Sequence, residues 1–374
     1  MIESQQKEKK VEYLELVYDL IFVYIIGRNN SLLQQTENGF VSGSVFLAYV
    51  LCTLAVIQIW NFSTFYINIY GRNGARDYIF LFLNMFLLYF MADGTNIQWQ
   101  PTFYKYNAAW ALILVNIGMQ HLIETKNHRT APEETKRMKQ KAAIILTEAA
   151  LIGAHIVVYA ITGVTLAYVP ILFGILAMMI AGKRNALVTV DFAHLSERAM
   201  LYVVFTFGEM IIALASYFKG ELTPGSVYFS AMAFLIVAGL LLSYGVFYNC
   251  LLDRERETNG TAFMLIHIFL IFALNNLSAS LEFMREEEVA LLPKTLFLVG
   301  SFVLYYVFLF LLGRYAKKRC AFNLRFVLAL SGAMAAFAAL MLILRRSMYL
   351  NIALSVVFVF GVFAVLFDFS RRHI

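Results

Sequence analysis

Residues 11–27 read VEYLELVYDLIFVYIIG, an apolar run long enough to begin a membrane-spanning helix, yet it carries Glu12, Glu15 and Asp19. The three carboxylates stand three and four residues apart, so on a helix they share one face. A charged side chain at the centre of a bilayer costs about 2.5–3.5 kcal/mol on insertion scales, and an acidic face therefore cannot look at lipid. The helix has to turn that face toward other helices or toward water inside the protein.

Composition places the surroundings in lipid. Of 374 residues, 61% are hydrophobic and 14% charged, against about 25% charged in a soluble domain. Cys52, Cys250 and Cys320 are widely separated and show neither a disulfide framework nor zinc spacing. The first apolar run is not expected to be a cleavable signal, because it contains carboxylates and no small-x-small site follows it. Twelve apolar segments are expected, at about 11–34, 43–70, 77–94, 103–124, 138–162, 164–182, 194–219, 225–251, 260–283, 293–315, 321–345 and 348–369. Most reach the roughly 20 residues that a bilayer core requires. The expected fold is an all-α polytopic membrane protein of about 12 transmembrane helices.

Orientation follows from the loops. With alternating helices, 23 of the 30 Lys and Arg fall on one side and 7 on the other. The positive-inside rule then predicts a multi-pass protein of the cell (inner) membrane with both termini cytoplasmic. The net charge of +6 is accounted for by these loops, so the bilayer, not nucleic acid, is the expected macromolecular partner. An oligomer is compatible with the sequence. A shift of 182 residues lays Gly43-Ser44-Val45 on Gly225-Ser226-Val227 and Glu15 on Glu197. This predicts two six-helix halves, residues 1–183 and 184–374, related by an axis along the membrane normal.

Polar groups recur as stripes. In the seventh segment Arg198, Tyr202, Thr206 and Glu209 follow at spacings of four, four and three, with His194 and Glu197 at the cytoplasmic mouth. Glu209 lies eleven residues past Arg198, about 16 Å deeper at the helical rise. The ninth segment carries His267, Asn275, Ser278 and Glu282 within a narrow arc, and the fifth carries Glu148, His155 and Tyr159. The second adds Gln58, Asn61 and Asn68; the fourth adds Asn116, Gln120 and His121. Asp19, Glu148, His155, Glu209 and His267 are thus deep titratable groups expected to line a hydrated cavity or a relay, where such groups carry protons or bind cations. The bland reading stands beside it: Glu15 and Asp19 clamp the first segment to Arg198 and His194, and the two deep histidines are packed, hydrogen-bonded residues. No G-x-S-x-G, H-E-x-x-H or Walker lysine is present. His194 and Glu197 alone supply too few ligands for a metal. No cofactor and no catalytic residue is expected.

Two stretches carry a family likeness. Tyr13-Leu14-Glu15-Leu16-Val17-Tyr18-Asp19-Leu20-Ile21-Phe22-Val23 resembles the E-L-F-F-D-L-V-F-V signature of the bacterial low temperature requirement A (LtrA) family. His194-Leu195-Ser196-Glu197-Arg198, followed by Gly208-Glu209, resembles that family's H-L-x-E-R…G-E signature, in the same order and at a similar separation. Tyr13 stands where a Trp is usual, and the Trp-rich second helix keeps only Trp60. The resemblance implies a polytopic bacterial membrane protein linked by name to growth in the cold. It also implies that Glu15, Asp19, His194, Glu197, Arg198 and Glu209 are marked positions, without assigning them roles.

The residues favour a transporter or channel for a proton, a cation or a small cation-coupled solute. Asp19 and Glu209 would titrate or coordinate in a cavity touching both, and Arg198 and His194 would set their protonation or gate the cytoplasmic side. An intramembrane enzyme acting on lipid or isoprenoid is the alternative. It needs a nucleophile or metal cluster near the interface, where the sequence offers only Asp191, His194 and Glu197. A non-catalytic stress-adaptation scaffold is a third reading, and it predicts that the polar stripes pair off completely.

Overall fold

In lipid a helix satisfies its own backbone, and this chain uses helices almost throughout. The structure, a computed structural model, describes residues 9–34, 36–95, 99–128, 131–184, 190–218, 222–286 and 288–373. Among them are twelve α-helices: α1 Tyr13–Asn30, α2 Gly43–Tyr70, α3 Ala75–Asp93, α4 Trp99–Glu124, α5 Pro132–Thr162, α6 Tyr168–Arg184, α7 Phe192–Ala213, α8 Pro224–Val246, α9 Thr261–Arg285, α10 Leu291–Leu311, α11 Leu324–Ile343 and α12 Met348–His373. Each corresponds to one apolar segment of the sequence. Eight are long and apolar enough to cross a membrane, and α6 is a shorter apolar helix. Outside that group are α1 and α7, whose charges lower their hydropathy, and α4, which buries Asn107, Asn116, Gln120 and His121.

Local signals set the helix ends. Gly163 takes φ 70° and its N–H reaches the Tyr159 carbonyl at 2.8 Å, closing α5 where the sequence places a turn. Pro224 opens α8 behind a reciprocal cap between Thr223 and Ser226.

The chain forms two compact units. The first comprises residues 1–35, 43–202 and 257–264, and so holds α1 to α6 and the start of α7. Its post is α2, in which every residue from Ala55 to Asn68 is buried. Against it lie α1, α4 and α6, while α4 packs along α3 and α5. A helix buried on all sides has no lipid face, which is why its polar residues can point in every direction.

The second unit comprises residues 36–42, 203–256 and 265–374. Its buried element is α9, closed from Ala273 to Leu281. There α8 packs along α12, and α11 bridges α10 and α12. A short hairpin, β1 Thr36–Glu37 and β2 Phe40–Val41, belongs here. Its turn residues Asn38 and Gly39 both have positive φ, 54° and 85°, as a two-residue hairpin requires. The Gly39 carbonyl accepts the Ala290 N–H at 2.6 Å, and Phe40 meets Phe283 and Phe297 edge-on.

Outward faces are apolar. On α11 only Leu330, Phe337 and Met341 are buried, at spacings of seven and four. On α3, Ile79, Phe82, Phe86 and Tyr89 are exposed. Apolar surface of this extent is stable in lipid and a liability in water.

Close helix packing inside the second unit depends on Gly239 of α8. A Cβ there would stand 2.5 Å from Val359 Cγ1 of α12, so the helices meet where a side chain is missing. Gly239→Ala is expected to destabilise by about 1–3 kcal/mol through overpacking. Gly361→Ala, with open space at its Cβ, should leave the thermal midpoint of the detergent-purified protein unchanged or slightly raised. Equal midpoints for the two variants would contradict this packing.

Candidate functional site

The first turn of α7 is built by Asp191. Its Oδ1 accepts the His194 N–H at 3.0 Å, the N-cap arrangement, and its Oδ2 accepts the Lys9 N–H at 3.2 Å. With the helix started there, His194 and Arg198 lie one turn apart on a buried face. On α1, Glu15 and Asp19 have the same spacing, and the flanking Leu14, Tyr18 and Phe22 are buried while Tyr13, Val17 and Leu20 are exposed. The two faces meet inside the first unit.

The contact is an ion cluster without solvent access. The Arg198 guanidinium joins Asp19 Oδ1 through Nη2 at 2.5 Å and lies 3.4 Å from Glu15 Oε2 through Nε. His194 Nε2 lies 3.3 Å from the same Glu15 oxygen. From α2, Trp60 donates its indole N–H to Asp19 Oδ1 at 2.8 Å. The Tyr202 ring packs against Trp60 with centroids 4.5 Å apart. Asp19 and Arg198 are each 0% exposed.

Hydrogen bonding fixes the histidine tautomer. The Asn68 amide nitrogen donates to the Asp191 carbonyl at 2.8 Å, which can only accept. The same nitrogen lies 3.0 Å from His194 Nδ1, so Nδ1 is the acceptor and the ring proton sits on Nε2, toward Glu15. Two carboxylates thus face one guanidinium, with the imidazole against the same Glu15 oxygen.

Asp191 and Lys9 border the cluster and are joined through the Lys9 N–H. Lys9 donates its ammonium to the Ile67 and Gly71 carbonyls at the end of α2, and burial pushes it below the usual lysine range, with Glu15 opposing. Among the described residues, Glu15 Oε1, Asp19 Oδ2, Arg198 Nη1 and Asn68 Oδ1 are buried without a hydrogen-bond partner. Buried polar atoms with unmet capacity are uncommon and mark strain, chemistry or a place for water or an ion.

The other expected site residues fall elsewhere. Glu197 is half-buried on an adjacent face of α7. Glu148 of α5 is fully buried and accepts from Gln58 Nε2 at 3.3 Å. Gly174 of α6 lies over this pair, and a Cβ there would overlap both side chains. His155 accepts the Leu166 N–H at 3.0 Å on Nδ1 and so ties down the turn after α5. In the second unit, Glu209 is half-buried, takes a long 3.5 Å contact from the Ser278 hydroxyl and feels the Glu282 carboxylate. His267 Nε2 pairs with the Tyr244 hydroxyl at 3.1 Å.

Asp19 lies in a closed ion cluster, because Trp60 and Arg198 occupy one carboxylate oxygen and Tyr202 backs the indole. One cavity of about 200 Å³ lies instead among Leu47, Leu51, Tyr106, Trp110 and Tyr159. Another of about 210 Å³ lies among Tyr306, Phe310, Leu330 and Phe358. Sequence reasoning missed the roles of Trp60, Lys9 and Gly174, and a buried chain in which Tyr18 pairs with Ser63 at 2.8 Å and receives Asn84 at 3.5 Å. The available signal was the second segment, where Gln58, Asn61, Ser63, Thr64 and Asn68 surround the helix on every side.

Comparison with protein families gives one finding: the family described as Bacterial low temperature requirement A protein (LtrA) matches residues 10–363. No curated protein and no solved structure matches the chain.

Removing one partner from a buried ion pair leaves an uncompensated charge, at about 3–5 kcal/mol. Arg198→Met is therefore expected to lower the thermal midpoint more than Asp19→Asn. The double variant Asp19→Asn/Arg198→Met should recover part of the loss, and strictly additive midpoints would show that the two side chains are not coupled.

Proposed function

We propose, for a chain that belongs to the bacterial low temperature requirement A (LtrA) family, a membrane transporter driven by or carrying a proton or small cation. The Glu15–Asp19–His194–Arg198 cluster would be its titrating element. In this reading all twelve helices span the cell membrane in two six-helix halves, with both termini on the cytoplasmic side.

The observation that carries the reading is the charge count. Two buried carboxylates share one guanidinium beside a histidine that the Asn68 amide holds in place. Burying an unbalanced carboxylate costs several kcal/mol; a proton or a cation relieves it. A proton arriving at His194 or Glu15 lets Arg198 commit to Asp19, and a proton on Asp19 lets it turn to Glu15. Because the carboxylates ride on α1 and the cations on α7, each exchange changes what holds the two helices together. This is a bistable contact of the kind that couples occupancy to motion.

Complete burial of Asp19 favours a second reading, a static clamp in a scaffold without turnover. The two separate in liposomes. Wild-type protein reconstituted with an internal pH dye and a potassium diffusion potential is expected to move protons. Asp19→Asn and Glu15→Gln should each reduce that rate at least tenfold while staying folded by size exclusion. Glu12→Gln, at the α1 N-cap, should retain it. Folded variants with undiminished flux reject the titrating role, and no wild-type flux under any imposed gradient favours the clamp.

A further inference from the structure

On the side marked cytoplasmic by the basic loops, the ends of α2, α6 and α9 meet the first turns of α5 around a small cavity of about 40 Å³. That is room for a few water-sized groups. Tyr70, Arg137, Lys141, Gly182, Asn259 and Thr261 contribute to its wall. All of them belong to the first unit.

The charges here do not cancel. Glu134 is engaged twice: one oxygen accepts the Tyr70 hydroxyl at 2.5 Å and the other lies 3.3 Å from Arg137 Nη1. Lys141 has no carboxylate partner among the described residues. Its ammonium rests over the rings of Tyr70 and Phe65, at 5.6 and 5.9 Å from their centroids. Aromatic faces hold a cation in place without neutralising it. The start of α9 adds a positive helix end at Thr261, whose N–H is turned back onto Asn259 Oδ1 at 3.1 Å. Gly182 keeps the wall thin, since a Cβ there would lie 2.7 Å from Thr261 Oγ1. Lys136 and Lys183, next to these residues in the chain, are exposed and add positive charge nearby.

We infer that this cavity is an anion site for a phosphate group, with Lys141 as the anchoring cation, Arg137 as the second and Thr261 as a hydroxyl donor. Its depth, at helix ends next to the membrane surface, suits the headgroup of an anionic phospholipid. A free phosphate-bearing solute presents the same chemistry. The site is independent of the ion cluster and of any transport activity.

The test is thermal unfolding of the full chain in nanodiscs. With phosphatidylcholine replaced by phosphatidylglycerol, the wild-type midpoint is expected to rise by several degrees. Lys141→Gln should lose at least half of that rise, while Lys141→Arg and the exposed Lys139→Gln keep it. Inorganic phosphate added to phosphatidylcholine discs distinguishes the source: a Lys141-dependent rise there assigns the site to a free phosphate group, and its absence alongside the phosphatidylglycerol effect assigns it to the lipid. Should Lys141→Gln fail to fold, Arg137→Gln carries the same comparison. No rise with either ligand, or the same rise in wild type and in the glutamine variant, overturns the proposal.

Discussion

A guanidinium buried between two carboxylates is the contact around which the first unit is arranged. Arg198 and Asp19 are 179 residues apart in the chain and fully enclosed. Neither can be buried alone, so α1 and α7 are obliged to meet. Their meeting then demands neighbours with donors and few competing acceptors. α2 supplies them, with the Trp60 indole below and the Asn68 amide above. This explains why α2 is enclosed from Ala55 to Asn68: that stretch stands where the cluster needs a third wall.

That arrangement also sorts the helices. The three that fall short of membrane-spanning apolarity carry the ion cluster and buried amides such as Asn116 and Gln120, while α3, α10, α11 and α12 each expose five or more large apolar side chains. Polar cost is concentrated in helices that neighbours can shield, and the lipid-facing helices are left free of it. A buried ionic cluster seldom stabilises more than an apolar core of the same volume.

Helix faces were legible in the sequence because they depend on spacing alone. Glu15 with Asp19, and His194 with Arg198, are one turn apart, and the expectation that they clamp α1 to α7 matches the observed contacts. The Gly163 turn was legible for a similar reason, since a left-handed residue at a helix end is a local requirement. Partners across helices were not. Glu148 meets Gln58 because Gly174 leaves no side chain between them, and no periodicity carries that information. His155 is spent on the backbone of the following turn, which its position in an apolar stripe does not announce. Lys9 lies in a polar tail that reads as solvated, yet it closes the end of α2. The sealed state of Asp19 was also beyond reach, because it depends on one indole arriving from a helix 41 residues away.

Lys9 of the N-terminal tail stands next to the cluster, but its ammonium does not bond to either carboxylate. Instead its ammonium is held by the last carbonyls of α2, and its backbone N–H by Asp191, the residue that starts α7. It thereby ties the end of α2 to the start of α7, next to the carboxylates. His194 is held in the same way, since its Nδ1 lies 3.0 Å from the Asn68 amide. Each is thus held by a specific hydrogen bond of its own, and Arg198 is the cation that reaches both Glu15 and Asp19.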